Sequence, residues 1–214
     1  MPKKEIPDYK RIDIFEQFNP VRIKFKDVFD LKDFHDTIHE WLMEYEWLDI
    51  GDDFDHYETF YGEVLGPNDV KNSIAITWRM YKNASRHSTN FKYYLDLYYR
   101  CIAISKIEVV KEGKKLNVNK GEVELKISAC VEEIYKDHIT KSALLKPFMK
   151  LINNRLYRKM SKQHEKELYQ EVQVFINFLK QYLKLKRYLP YEETKSFFGR
   201  ASWPSHQQET EKSS

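Results

Sequence analysis

The sequence predicts an α+β fold: an antiparallel meander sheet of four to six strands, with an N-terminal amphipathic helix and one or two long C-terminal helices packed on it. Three observations carry that prediction. Within residues 57–131, Ile74 to Met80 and Val123 to Val131 alternate apolar with other side chains at a period of two, the pattern of strands that bury one face, and the runs 57–65 and 91–110 are rich in strand formers. The links between these runs are short and rich in turn residues, which favours antiparallel neighbours over parallel crossovers. On both sides of this region the apolar period changes to the helical one.

Residues 1–20 carry three prolines and many charges and read as an extended N-terminal arm. Val21, Ile23 and Phe25 then alternate with Arg22, Lys24 and Lys26 as in a half-buried strand. From Asp30 onward Leu31, Phe34, Ile38, Trp41, Leu42 and Tyr45 line one side of a helix, with Asp33, Asp36, Glu40 and Glu44 opposite. Tyr57 to Leu65, the turn Gly66-Pro67-Asn68-Asp69 and the alternating Ile74, Ile76, Trp78 and Met80 predict a hairpin. A loop is expected over 83–90, then a long aromatic strand from Phe91 to Val110. Glu112-Gly113-Lys114 and Asn119-Lys120-Gly121 are read as tight turns, and Val123 to Val131 as the last strand.

After Ser142 the helical period lasts to about Leu185. Leu144, Phe148, Leu151, Ile152 and Leu156 form one stripe, and Leu168, Val172, Phe175, Ile176, Leu179 and Leu183 another. The polar stretch from Ser161 to Lys166 is either a break between two helices or one exposed turn of a single long one; two helices are preferred, because a single helix of about 40 residues exceeds the usual length. The chain is thus divided into an arm over 1–20, one α+β domain over 21–188 and a flexible or partner-ordered tail over 189–214.

The composition narrows the function classes. Only six glycines occur, and there is no glycine-rich phosphate loop, no Gly-x-Ser-x-Gly and no Cys/His nucleophile motif. No catalytic residue and no cofactor are therefore assigned. Cys101 and Cys130 sit in alternating apolar runs and are read as reduced, packed thiols. The start MPKKEIPDYKRID lacks the apolar core of a signal peptide, and no run approaches the roughly 18 residues of a membrane span. The expected location is the cytoplasm or the inside of a virus particle, with no membrane partner.

The stretch FHDTIHEW places His35 and His39 four residues apart, a spacing at which two imidazoles can share a metal ion, with Glu46 or the acids of 51–56 to complete the shell. A zinc hydrolase of that helical pattern needs Glu after the first His, and here Asp36 stands there. His35 and His39 are accordingly read as hydrogen-bonding residues at the border of a helix face. The acids of 51–58 do not follow the spacing of a calcium loop.

Charge is sorted along the chain. From Asp27 to Asp69 Lys32 is the lone lysine or arginine among about fourteen acids, whereas from Lys141 to Arg187 bases dominate and only three glutamates occur. Such a layout fits mutual neutralisation within the fold, assembly through complementary patches on protein partners or further copies, or phosphate contacts by Arg155, Arg158, Lys159 and Lys162. In the tail Phe197, Phe198 and Trp203 are candidate partner-binding residues. The reading adopted is a non-enzymatic component of a larger assembly, such as a virion or a ribonucleoprotein particle. An RNA- or DNA-binding module is the alternative, and a metal-dependent hydrolase comes third.

The segments HDTIHEWLMEYEW, NKGEVELKI and LLKPFMKLINNRLYRKMSKQHEKELY resemble, in the same order across residues 30–185, those of uncharacterised small proteins found in archaeal genomes. The resemblance implies an intracellular protein of archaeal or archaeal-virus origin. It implies no activity, cofactor or catalytic residue.

Overall fold

The computed structural model describes residues 6–15, 20–49, 57–67, 70–85, 88–111, 114–142 and 144–185. Strands β1 (Arg11–Asp13) and β2 (Val21–Phe29) precede helix α1 (Leu31–Glu44), which leads to β3 (Leu48–Asp49), β4 (Glu58–Leu65), β5 (Lys71–Ser85), β6 (Ser88–Lys111) and β7 (Lys114–Glu133). Helix α2 (Tyr135–Lys141) follows. A helical stretch then runs through α3 (Met149–Ile152), a π-helical turn (Asn153–Tyr157) and α4 (Arg158–Leu185).

The sheet has seven antiparallel strands, not four to six, because each edge is built from two segments. β1 and β2 both pair with β7, and β3 and β4 both pair with β5. Arg11–Asp13, expected to be part of an arm, is therefore a sheet strand. β4 to β7 form the expected meander, but β2 sits beside β7 at the far edge. The chain thus has to travel from one edge of the sheet to the other between β2 and β4, and α1 lies on that path. Asp30 starts the helix by accepting from the amides of Lys32 and Asp33, at 2.9 and 3.1 Å.

Three further expectations need correction. The region 83–90 holds strand ends, with Ser85 paired to Ser88. Asn119-Lys120-Gly121 is not a turn but lies within β7, opposite a bulge: Ile102 pairs with Glu122 and Ser105 with Lys120, so Ala103 and Ile104 face Gly121 alone. Ala103 has φ 52°, and a Cβ at position 121 would stand 2.9 Å from the Ile102 carbonyl oxygen as well as against Ile104, so the bulge favours glycine there. Finally, Ser161 to Lys166 is no break, because it lies inside α4.

Both α1 and α4 pack on one face of the sheet. There they cover Trp78 and Met80 of β5, Leu95, Leu97 and Tyr99 of β6, and Leu125 and Ile127 of β7, all buried. The stripe Leu168, Val172, Phe175, Ile176, Leu179 and Leu183 is buried throughout. An aromatic seam joins the helices, with Trp41 4.5 Å from Phe175 and Phe34 5.5 Å from Tyr182. Glu171 ties α4 to the sheet, accepting from Trp47 Nε1 at 2.9 Å and from Lys82 at 2.7 Å. Cys101 and Cys130 are free and buried, and burial pushes each thiol up to about 12. Among the described residues no helix is long and apolar enough to cross a membrane.

Candidate functional site

The histidines of α1 lie beside the start of β4, among rings from β5, β6 and Tyr57 just ahead of β4. His35 meets Trp78 edge-on at 5.0 Å, and His39 lies 5.0 Å from Tyr57. Nδ1 of His35 is hydrogen-bonded to the Tyr99 hydroxyl, and Nε2 lies 3.2 Å from Glu58 Oε1. A neutral ring with its proton on Nε2 satisfies all three groups, the phenol donating to Nδ1 and Nε2–H donating to the carboxylate. Burial pushes this imidazole below its usual range against the pull of Glu58, and burial likewise raises the Tyr99 phenol. With both nitrogens engaged within the protein, His35 has no lone pair free for a metal. Among the described residues no three His, Cys, Asp or Glu side chains converge as metal ligands. Residues 51–56, named as further ligands, lie outside the described residues.

Arg155, Arg158, Lys159 and Lys162 are all exposed, as is Lys150 one turn earlier. They do not stand alone. Leu144, Leu145, Phe148, Leu151, Leu156 and Met160 are exposed beside them, Leu144 at 83%, Leu156 at 66% and Phe148 and Leu151 at 58% each. The stripe that the sequence places against the sheet therefore points outward in large part. The residues that do pack against the core are Met149, Ile152 and Tyr157, the last stacked on Tyr135 at 3.8 Å.

The π turn explains how one short helix keeps both faces. Its i→i+5 bonding widens the helix, so residues five apart come nearly into line. Leu151 and Leu156 thus share the outer ridge, and Ile152 and Tyr157 share the inner one. Just beyond, Ser161 faces inward and donates to the buried Glu133 carboxylate, which also takes a hydrogen bond from Tyr135 at 3.0 Å and an ion pair from Lys136. The outer ridge is flanked by cations and has no acid near it in sequence, since none occurs between Lys141 and His164. That absence, with apolar residues at two helical phases, was the available sequence signal for a second apolar face.

The opposite pole of charge is the outer side of α1. Asp36, Glu40 and Glu44 are exposed on α1. On β4 Tyr61, opposite Ile76, stands on the sheet face that carries α1, whereas Phe60 and Val64, opposite Thr77 and Ser73, stand on the second face; all three are more than half exposed. Glu63 is held by Tyr61 and Lys71, and the two hydrogen bonds keep its carboxyl below the usual range. β4 is an outermost strand with register shifts near both ends, between Glu58 and Phe60 and between Val64 and Leu65.

The second face of the sheet carries Tyr81, Tyr94 and Tyr98, with Lys92 over Tyr81 at 4.7 Å and Lys126 over Tyr98 at 5.4 Å. Acids share this face: Glu124 lies 3.9 Å from Lys24, and Glu132 accepts from Tyr94 at 2.8 Å. The tail over 189–214, with Phe197, Phe198 and Trp203, lies outside the described residues.

No family model matches this chain, and it has no match among curated proteins or solved structures.

Proposed function

We propose that this protein is a non-enzymatic interaction component of a larger macromolecular assembly, held through an exposed apolar ridge rimmed by cations and through separate patches of opposite charge. The observation that supports this most is the outer ridge of the 144–160 segment. Six large apolar side chains stand in water there beside exposed cations, on a helix whose other side already packs into the core. Contiguous exposed apolar surface of this kind, rimmed by charge, marks contact sites. His35, Tyr99 and Glu58 satisfy one another, which supports a structural role for them, while the buried Trp78 Nε1 beside His35 has no hydrogen-bond partner among the described residues.

The test is the mass of the native species isolated from its source. An assembly larger than the single chain, from which a Leu151→Asp, Leu156→Asp variant is released, supports the proposal. A lone chain without companions overturns it.

The second reading, a nucleic-acid module, draws on Arg155, Arg158, Lys159 and Lys162 and on the tyrosine and lysine pairs of the second sheet face. It predicts binding to single-stranded RNA that weakens steeply with salt and disappears when Arg155, Arg158 and Lys159 are reversed in charge. Leucines and phenylalanine exposed among the cations have no part in phosphate binding, so the assembly reading accounts for more of the surface.

A further inference from the structure

We infer that the second face of the sheet, on the side away from α1 and α4, binds single-stranded RNA. The inference goes beyond the assembly reading: it assigns a separate site, which needs neither the ridge nor the ridge cations. Three observations carry it.

The first is a row of side chains that the register lays across five strands. Phe60 of β4 stands opposite Thr77 of β5, Thr77 opposite Tyr98 of β6, Tyr98 opposite Lys126 of β7, and Lys126 opposite Arg22 of β2. In the next two rows β5 places Ala75 between Gly62 and Arg100, and Ser73 between Val64 and Ile102. Strands two apart are separated by about 9–10 Å, so the small side chains of β5 floor a shallow trough between β4 and β6. Their neighbours Ile74, Ile76 and Trp78 are buried on the other face, and none of the trough side chains belongs to the core.

The second observation is the pair of rings beside the trough. A Cβ on Gly62 would stand 2.9 Å from Phe60 Cζ, so the phenyl ring lies over the glycine with its other side in solvent, 56% exposed. Tyr98 stands half-buried across the trough. Rings held on a sheet with an open side take unpaired bases, which stack on them, whereas a duplex keeps its bases stacked on one another. The floor carries the hydroxyls of Thr77 and Ser73, the latter accepting from Arg100 Nε at 3.2 Å. Hydroxyls are partners that a ribose 2′-hydroxyl can use.

The third is charge. Arg22, Lys24, Lys26 and Arg100 are exposed on this face, and Lys126 Nζ lies 5.4 Å from the centre of the Tyr98 ring. In the same rows the acids are Glu122 and Glu124, the latter 3.9 Å from Lys24. The surplus of cations stands beside the rings, where the phosphates of a strand stacked on them would run. An apolar protein partner would cover the rings and leave these cations without counter-charge. Free phosphate would use the cations and leave the rings in water.

The test is fluorescence anisotropy of a labelled single-stranded RNA of about 12 nucleotides with the full chain at rising salt. The parent is expected to bind, and to bind more weakly as salt rises. Phe60→Ala alters an exposed position and should weaken binding roughly 5- to 150-fold, while Phe60→Trp keeps a ring there and should retain it. Arg22→Gln and Arg100→Gln should each flatten the slope of log affinity against log salt by about 0.7. Reversing Arg155, Arg158 and Lys159, or placing Asp at Leu151 and Leu156, should leave the affinity nearly unchanged. A chain that binds no RNA overturns the inference. So does binding that Phe60→Ala leaves intact and the Arg155, Arg158 and Lys159 reversal abolishes, which would move the site to the ridge. Duplex RNA or single-stranded DNA of the same sequence, bound as tightly, would remove single-stranded RNA as the partner. A chain that binds RNA through Phe60 yet travels without companions would overturn the assembly reading and leave this inference standing.

Discussion

The two halves of the C-terminal helical stretch look alike in sequence and differ in what covers them. From Leu168 to Leu183 each apolar side chain of the stripe is buried against the sheet or α1. From Leu144 to Met160 the same residue types stand largely in solvent. Helical periodicity reports that a helix has an apolar side; it does not report which surface lies against it. The difference here comes from what packs beneath. The C-terminal half meets the aromatic seam of α1, with Phe175 against Trp41. In the N-terminal half Met149, Ile152 and Tyr157 are, among the described residues, the ones packed against the core, and its second apolar side is left over.

The largest effect that would break this contrast is expected at Phe175. It is fully buried and in ring contact with Trp41. Phe175→Ala removes a packed ring from the covered half and is expected to cost about 3–5 kcal/mol, read from urea unfolding. A cost under about 1 kcal/mol would mean that the covered half is not seated as described.

The next effect tests the joint between the halves. Ser161 donates to Glu133, a carboxylate only 4% exposed that also holds Tyr135 and Lys136. Ser161→Ala removes one donor and leaves the others, so a loss of about 1–2 kcal/mol is expected in the same unfolding measurement. A neutral result would show that this contact does not anchor the start of α4.

This joint also shows what was legible in the sequence and what was not. The alternating strands around Ile76 and Ile127 were legible because half-buried antiparallel strands write a period of two directly into the chain. The bulge at Ala103 was hidden, since Gly121 serves a bulge and a turn by the same lack of a Cβ, and Asn-Lys-Gly reads as a turn. Ser161 looked like a polar break because its partner, Glu133, lies 28 residues away. The π turn was hidden too. A stripe drawn with ordinary helical spacing puts Leu151, Ile152 and Leu156 together, and only the stacking of Tyr157 on Tyr135 separates inner from outer side chains. At the histidine pair the spacing was visible, but the partners that engage His35, Tyr99 and Glu58, come from distant strands.

A smaller, pH-dependent effect belongs to the contact where α1 meets β4. Burial holds the folded His35 imidazole below its usual range, with Glu58 and Asp36 opposing and His39 adding to the depression. The unfolded chain therefore takes up the proton first as pH falls. Stability owed to the neutral ring is full above about pH 6.5 and declines below it, at no more than about 1.4 kcal/mol per pH unit, until the folded ring also protonates. Asp137 and Glu167 have depressed carboxyls and contribute their losses at lower pH, near and below the ordinary carboxylate range. Urea unfolding of the parent and of His35→Gln between the two ranges isolates the effect: the parent curve should slope and the variant curve should be flatter. Equal slopes would place the buried titration elsewhere.

The smallest effect on stability is also the sharpest test of the contrast, and it lies on the ridge. Leu156 is 66% exposed, so its truncation to alanine removes little contact within the monomer and should change unfolding free energy by no more than about 0.5 kcal/mol. Ile152, four residues earlier, packs against the core, and Ile152→Ala should cost about 2 kcal/mol. In sedimentation the order reverses. Leu156→Ala should weaken retention of the chain in its native assembly, whereas Ile152→Ala, measured where the variant remains folded, should leave it nearly unchanged. A helix with one apolar face would place both residues on the same side of that comparison, with one loss rising with the other; only a helix with a covered and an uncovered apolar side separates Ile152, packed on the core, from Leu156, in solvent.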